Sequence, residues 1–213
     1  MNIVFIHIGS LIAGYLCGSI MFASLITRMV TGRNIRDLGN HNPGAANTFK
    51  NVGRFWGILA GALDAVKVYI PLLVADRILG LPTSTFALIG LGAIFGHGFP
   101  LYFGFRGGRA AGTLMGIYLY LIPIETLISL AVVPWIVALL IKKDRSYWMP
   151  LSIIALSGLA SMVFAYPLWI KLAVVMSGFG GLFMNRIQLP LRIQALQVGS
   201  ENEKSDSGSL KEL

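Results

Sequence analysis

Long apolar runs alternate with short polar segments along this chain. Broken at charges, prolines and glycine clusters, it yields about seven apolar spans: 3–27, 54–75, 85–101, 110–122, 125–141, 149–165 and 168–184. A helix crosses a bilayer core in roughly 20 residues, fewer where it is short or re-entrant, so each span is a candidate crossing. The fourth and fifth are separated by "IPIE" around Pro123 and Glu125; read as one kinked helix, they lower the count to six. The predicted fold class is therefore an all-α integral membrane protein with about seven transmembrane helices, six being the fallback. The first span lacks a basic leader and a small-residue cleavage site and is too long for a signal-peptide core, so it is expected to stay as a membrane helix.

Composition agrees with this pattern. Hydrophobic residues make up 55% of the 213, charged residues only 12%, and the mean hydropathy is +0.73; soluble domains carry about 25% charged residues. Fourteen of the 17 basic residues fall in alternate loops and at the C-terminal end, and Arg77, Lys171 and the intramembrane Lys67 are the remainder. Excess lysine and arginine marks cytoplasmic loops, which predicts an N-terminus outside and a C-terminus inside. Residues 1–196 form a single polytopic membrane domain in this reading, and the polar stretch 197–213, "QVGSENEKSDSGSLKEL", a flexible cytoplasmic tail.

The formal net charge of +8 points to anions. Nucleic acid is not the expected partner, because the basic residues lie in short loops between apolar helices and form no continuous face. A single cysteine, Cys17, excludes an intramolecular disulfide and a cysteine metal site. No metal and no cofactor are expected.

Two predicted inner loops carry the candidate chemistry. The first reads "RDLGNHNPGAANTFKNVGR" from Arg36 to Arg54. Asparagine, glycine and proline at this density make tight turns, which can aim successive N–H groups at an anion, with Lys50 and Arg54 adding full charges. A plain connecting loop has a similar composition. The second reads "GHGFPLYFGFRGGRAAGT" from Gly96 to Thr113. Gly107 and Gly108, between Arg106 and Arg109, let backbone approach a phosphate, and Thr113 opens a helix whose N-terminus carries partial positive charge. The spacing is not that of a Walker loop. Arginines between membrane helices also arise from topology alone.

His97 stands just before this loop. Asp64 and Lys67, three residues apart in the second span, share a helix face; they are either a functional pair or a structural one, with Lys67 roughly 20 Å along the helix from residue 54. None of the three histidines is followed five residues on by aspartate, since Ile12, Ala46 and Tyr102 occupy those places. The basic excess in the loops favours holding anions over carboxylate proton abstraction.

"GNHNPGAANTFKNVGRFWGILAGALDAVKVYIP" followed by "GHGFPLYFGFRGGRAAGT" resembles the bacterial acyl-phosphate:glycerol-3-phosphate acyltransferase family (PlsY). The likeness runs through the first four helices. It implies transfer of a fatty acyl group from acyl phosphate to glycerol 3-phosphate, giving lysophosphatidic acid at the cytoplasmic face of a bacterial inner membrane, with membrane lipids as surroundings and no cofactor. An acyl phosphate is already activated, so holding two phosphates and aligning a hydroxyl suffices.

Carried over by motif, Asn42, Gly44 and Asn47 match the first loop, and Lys50 stands where the family has arginine. Asp64 and Lys67 match a second-helix pair. His97, Pro100, Arg106, Gly107, Gly108, Arg109 and Thr113 match the glycine loop, with arginine in place of both family lysines. Asn40 occupies the place of a family serine and His41 that of a glycine. After the last helix, Asn185 takes the place of a histidine and Gln188 that of an asparagine, while Arg186 is kept. The resemblance thus makes Asn40, Asn42, His97 and Asn185 the catalytic candidates. Gly44, Asn47, Lys50, Lys67, Arg106, Gly107, Gly108, Arg109, Thr113 and Arg186 are the phosphate-binding ones. Two other readings stay open: a non-catalytic relative that binds phosphorylated lipid precursors or a partner enzyme, and a transporter of a phosphorylated solute, which would place its charges near the midplane.

Overall fold

The structure, a computed structural model, describes residues 2–142 and 145–185. Arg186, Gln188 and the predicted tail 197–213 lie outside the described residues. All regular structure among those described is helical. The helices are α1 (Ile3–Gly18), α2 (Phe22–Thr31), α3 (Ala45–Asn51), α4 (Arg54–Leu73), α5 (Ser84–Gly98), α6 (Ala111–Leu121), α7 (Pro123–Leu140), α8 (Arg145–Val163) and α9 (Leu168–Asn185). Five stretches are long and apolar enough to cross a membrane: Ile3–Thr31, Arg54–Ile78, Ser84–Phe103, Pro123–Leu140 and Leu168–Asn185. Ala111–Leu121 and Trp148–Val163 are shorter apolar helices.

Two expectations about boundaries are refined. The chain leaves helical geometry at Ile122 (φ −139°, ψ 62°) and re-enters it with Pro123 as the first residue of α7, so "IPIE" separates two helices. Proline suits that position because a first-turn N–H has no partner inside the helix. The first span, expected as one run over 3–27, is instead interrupted at Ser19–Met21 and resumes as α2. The one local sign of it in the sequence is the Gly18–Ser19 pair, a combination at which helices bend.

Close packing leads up to the interruption. A Cβ on Gly14 or Gly18 of α1 would run into the backbone of Ile89 or Ala93 on α5, and one on Gly92 or Gly96 would run into Leu11 or Tyr15. The two helices are parallel and almost touch through four glycines. Among membrane helices, where lipid is as apolar as leucine, such close van der Waals contact is the main source of attachment. The Tyr15 hydroxyl then donates to the Phe99 carbonyl at 2.9 Å, tying α1 to the exit of α5.

Glycines also seat α6. Gly112 lies against Asp64 and Gly116 against Ala65 and Val68, so α6 runs parallel to α4. On its other sides Ile117 caps Gly90 of α5, and Leu114 meets Gly181 of α9. The core around Val68, Leu72, Ile89, Ile94, Leu114, Ile117 and Val174 sits where these four helices meet. At 1.5 Å per residue α6 is only about 16 Å long. Its shortness follows from the segment before it, the folded glycine loop, which reaches into the bundle. Irregular backbone is tolerated at membrane depth where protein covers it.

Candidate functional site

The first loop is built around one side chain. Asn47, 1% exposed, donates from Nδ2 to the carbonyls of Ile35 (3.1 Å) and Leu38 (2.9 Å). Its Oδ1 accepts from the Asn40 N–H (3.3 Å) and from Asn51 Nδ2 (2.8 Å). That uses both donors and both lone pairs of the carboxamide. Asn40 closes a local turn, its Oδ1 accepting from the Asn42 N–H at 3.1 Å, and the Asn42 side chain lies over Gly44. His41, in the left-handed region (φ 59°), donates from Nδ1 to the Arg36 carbonyl at 2.6 Å. Asparagine density here makes a rigid turn cluster, as the sequence implied, but Asn47 is the clamp of that cluster. It has no donor left for a phosphate.

The second loop folds back onto the end of α5. The Gly107 N–H donates to the Gly98 carbonyl and the Gly108 N–H to the His97 carbonyl, each at 3.0 Å. The glycines that the sequence offers for backbone approach to a phosphate use their N–H groups on carbonyls that α5 leaves without helical partners at its C-terminus. The glycines are required for approach all the same. A Cβ on Gly107 would meet the His97 carbonyl, and one on Gly108 would lie 2.7 Å from His97 Nε2 and 3.6 Å from the Pro43 carbonyl. Gly108 thus lies between the imidazole and the first loop, with no room for a side chain. Phe105 (φ 57°) and Ala110 (φ 59°) join His41 as non-glycine residues in the left-handed region, all in these two loops. Such strain, about 1–2 kcal/mol per residue, persists where the surroundings over-determine it.

Arg36 joins the loops. Its guanidinium donates to the Phe103 carbonyl at 3.3 Å and to the Arg106 carbonyl. Burial, and then the Arg106 charge beside it, pull its pKa below the usual guanidinium value. In the sequence Arg36 is only one more loop charge, because its reach across 70 positions is visible only in the fold.

Beneath the loops lies a closed polar group. The Lys67 ammonium is 2.8 Å from Asp64 Oδ1, 2.7 Å from the Ile20 carbonyl and 2.9 Å from His97 Nδ1. His97 Nδ1 is also 3.8 Å from Asp64 Oδ1. Asp64, Lys67 and His97 are each less than 10% exposed. The Ile20 carbonyl belongs to the break between α1 and α2. The depth of Lys67 along α4 is no obstacle to its meeting the loops, since they come down to it. α3 packs back along the first turns of α4, with Phe49 against Gly57 and Ala45 against Gly61, while Gly112 at the mouth of α6 rests on Asp64.

The structure therefore gathers Asn40, Asn42, Gly44, Asn47, Lys67, His97, Gly107 and Gly108 in one place. Arg106 is exposed at the rim, and Arg109 is partly buried. Met184 of α9 packs its sulfur on Gly98, which brings the neighbouring Asn185, 9% exposed, to the same end of the bundle. Lys50 stands apart, exposed on α3 about 9 Å along its axis from Gly44. Four buried polar atoms have no hydrogen-bond partner among the described residues: Ser24 Oγ and Thr27 Oγ1 of α2, Arg36 Nε, and Thr113 Oγ1. All four belong to segments that surround this group, and unsatisfied buried donors are uncommon enough to need an explanation. Among the described residues no three His, Cys, Asp or Glu side chains converge as a metal site.

Fold and site together define a polytopic helical membrane protein whose two cationic, glycine-rich loops close over a buried Asp–Lys–His group. The model of the glycerol-3-phosphate acyltransferase family matches residues 8–188, and the chain belongs to that family. It is 40% identical over 121 residues to the glycerol-3-phosphate acyltransferase of Anaeromyxobacter dehalogenans, covering 55% of this chain and 60% of that protein. To the Aquifex aeolicus protein of the same description it is 34% identical over 132 residues, 62% of this chain and 67% of that one. In these alignments the chain spans about three fifths to two thirds of the relatives' length. A solved structure of PlsY, an integral membrane glycerol 3-phosphate acyltransferase in its glycerol 3-phosphate form, superposes with a TM-score of 0.74 at 27% identity. That match covers 91% of this chain and 92% of the other. A second PlsY structure, a lysophosphatidic acid form, superposes equally well at 26% identity.

Proposed function

We propose that this protein transfers a fatty acyl group from acyl phosphate to glycerol 3-phosphate, releasing lysophosphatidic acid and phosphate. The observation that carries the reading is the meeting of two distant glycine-rich loops over His97, with Arg36, Arg106 and Arg109 among them. Two phosphates need cationic surroundings, and an activated acyl donor needs alignment and charge stabilisation more than a nucleophilic side chain. The hydroxyl of Thr113 and Nε of Arg36 are donors without an acceptor among the described residues, which suits oxygen-rich ligands. The family and the ligands named for the two solved PlsY structures support the same substrate class.

In this proposal the chain crosses a bacterial inner membrane seven times, with its N-terminus outside, and works at the cytoplasmic face. Five long and two shorter apolar helices supply the crossings, and the parallel pairs α1 with α5 and α4 with α6 suit an alternating path. The basic loops supply the orientation. Asn40, Asn42 and Gly44 shape the pocket, His97 and Asn185 face the reacting groups, and Lys50, Arg106, Arg109 and Arg186 neutralise phosphates. The pair Asp64–Lys67, the feature that most favoured a transporter, is closed by its own partners.

The test is direct. Purified protein supplied with acyl phosphate and labelled glycerol 3-phosphate is expected to form labelled lysophosphatidic acid, and Arg109→Ala to slow this by about 100-fold or more. Equal background rates for both proteins would sink the enzyme reading. Ligand-induced thermal stabilisation without turnover would make the protein a binder of phosphorylated lipid precursors, and solute uptake into proteoliposomes would make it a transporter.

A further inference from the structure

The geometry points to a role for Lys67 other than binding phosphate: we infer that it is a positioning residue that fixes the tautomer of His97. The substrate end of this inference rests on the acyl-transfer reading above.

The Ile20 carbonyl and Asp64 Oδ1 can only accept, so Lys67 Nζ donates to both, at 2.7 and 2.8 Å. The Ile20 carbonyl and Asp64 Oδ1 both facing Nζ suit an ammonium paired with a carboxylate, each compensating the other's charge where Asp64 is 2% exposed. Lys67 is therefore the ammonium, with three protons to place. The third goes to His97 Nδ1 at 2.9 Å. A ring nitrogen that accepts carries no proton, so the imidazole is neutral and its proton is on Nε2. Nε2 is the nitrogen that faces Gly108, where the second loop comes closest to the Pro43 carbonyl of the first. His97 thus meets the substrate as a hydrogen-bond donor to an oxygen gaining negative charge, and it does not take the proton of the attacking hydroxyl.

The break in the first span has a purpose in this arrangement. An unbroken helix would commit the Ile20 carbonyl to an N–H four residues on. The interruption frees it as the second acceptor for Lys67. With all three ammonium protons committed inside the bundle, Lys67 has none for a phosphate.

Protein labelled with 15N-histidine, assigned by loss of signals in His97→Gln, tests this. The expected result is a protonated Nε2 and an unprotonated Nδ1 at His97. In the double variant Asp64→Asn/Lys67→Met, which removes both buried charges together, the His97 signals are expected to average between the tautomers. There kcat is expected to fall by about 100-fold while KM for glycerol 3-phosphate stays within about twofold. His97→Gln, which retains an N–H donor, is expected to keep more activity than His97→Ala. Lys67→Arg, which keeps the charge beside Asp64, gives a second test should the double variant not fold: its KM is expected unchanged. A proton on Nδ1 in the wild type, unaltered His97 signals in the double variant, or a tenfold rise in KM with kcat held in either Lys67 variant would overturn the inference. If the wild type shows no acyl transfer at all, the enzyme proposal fails while the nitrogen signals still decide the tautomer.

Discussion

At the residue scale, side chains that look alike in the loops divide into those that hold the site and those left to face a ligand. Asn47 has four hydrogen bonds and is nearly inaccessible, so Asn47→Ala is expected to collapse the first loop. Leaving the buried groups it satisfied unpaired should cost about 2–4 kcal/mol, read as a lower Tm in detergent alongside lost activity. Gly108 offers the contrasting case. It lacks positive φ, so an added methyl acts through space, and it would sit 2.7 Å from His97 Nε2. Gly108→Ala is expected to displace the imidazole, reducing kcat by at least about tenfold with a smaller loss of Tm than Asn47→Ala. Arg36→Lys preserves charge but loses the two-pronged reach to Phe103 and Arg106. Its expected signature is faster proteolysis of the 99–110 loop.

At the element scale, helix contacts made through glycine set where the loops end up. Gly18 and Gly96 sit against opposing backbone with no room for a side chain. Gly18→Leu or Gly96→Val is expected to separate α1 from α5 at a cost of about 1–3 kcal/mol or more, measured by thermal unfolding. The same change would shift Ile20 and weaken the anchor of Lys67, so activity should fall more than stability alone explains. The helices were legible as apolar runs bounded by charge and proline, and the division at Pro123 could be read from that residue. The break at Ser19–Met21 is marked locally only by the Gly18–Ser19 pair, and the approach of α5 beside it is a tertiary contact. The shortness of α6 is legible only in retrospect, once its preceding loop is seen to enter the bundle.

At the scale of the whole molecule, the proposal of an N-out, seven-span path is open to a simple measurement. In a Cys17→Ser background, a membrane-impermeant maleimide applied to intact cells is expected to label Arg77→Cys, whose side chain is 77% exposed, and to spare Lys142→Cys. The reverse pattern would place the loops on the outer face and remove the cytoplasmic site. Likeness to the solved PlsY structures covers nine tenths of each chain, yet Asn40 and Asn185 stand where the family resemblance has a serine and a histidine.

By itself the sequence determined the membrane setting, the approximate spans, the two glycine-rich loops and the excess of positive charge over them. These are local properties of composition, periodicity and turn chemistry, and each can be read within a window of some twenty residues. Only the tertiary structure decided which polar groups are already spent. The N–H groups of Gly107 and Gly108 close the end of α5, Asn47 clamps its own loop, and Lys67 is consumed by Asp64, Ile20 and His97. The partners in these contacts come from α4, α5, the loops and the break after α1, as many as 47 positions apart, so hydrogen-bond satisfaction is a property of the assembled bundle.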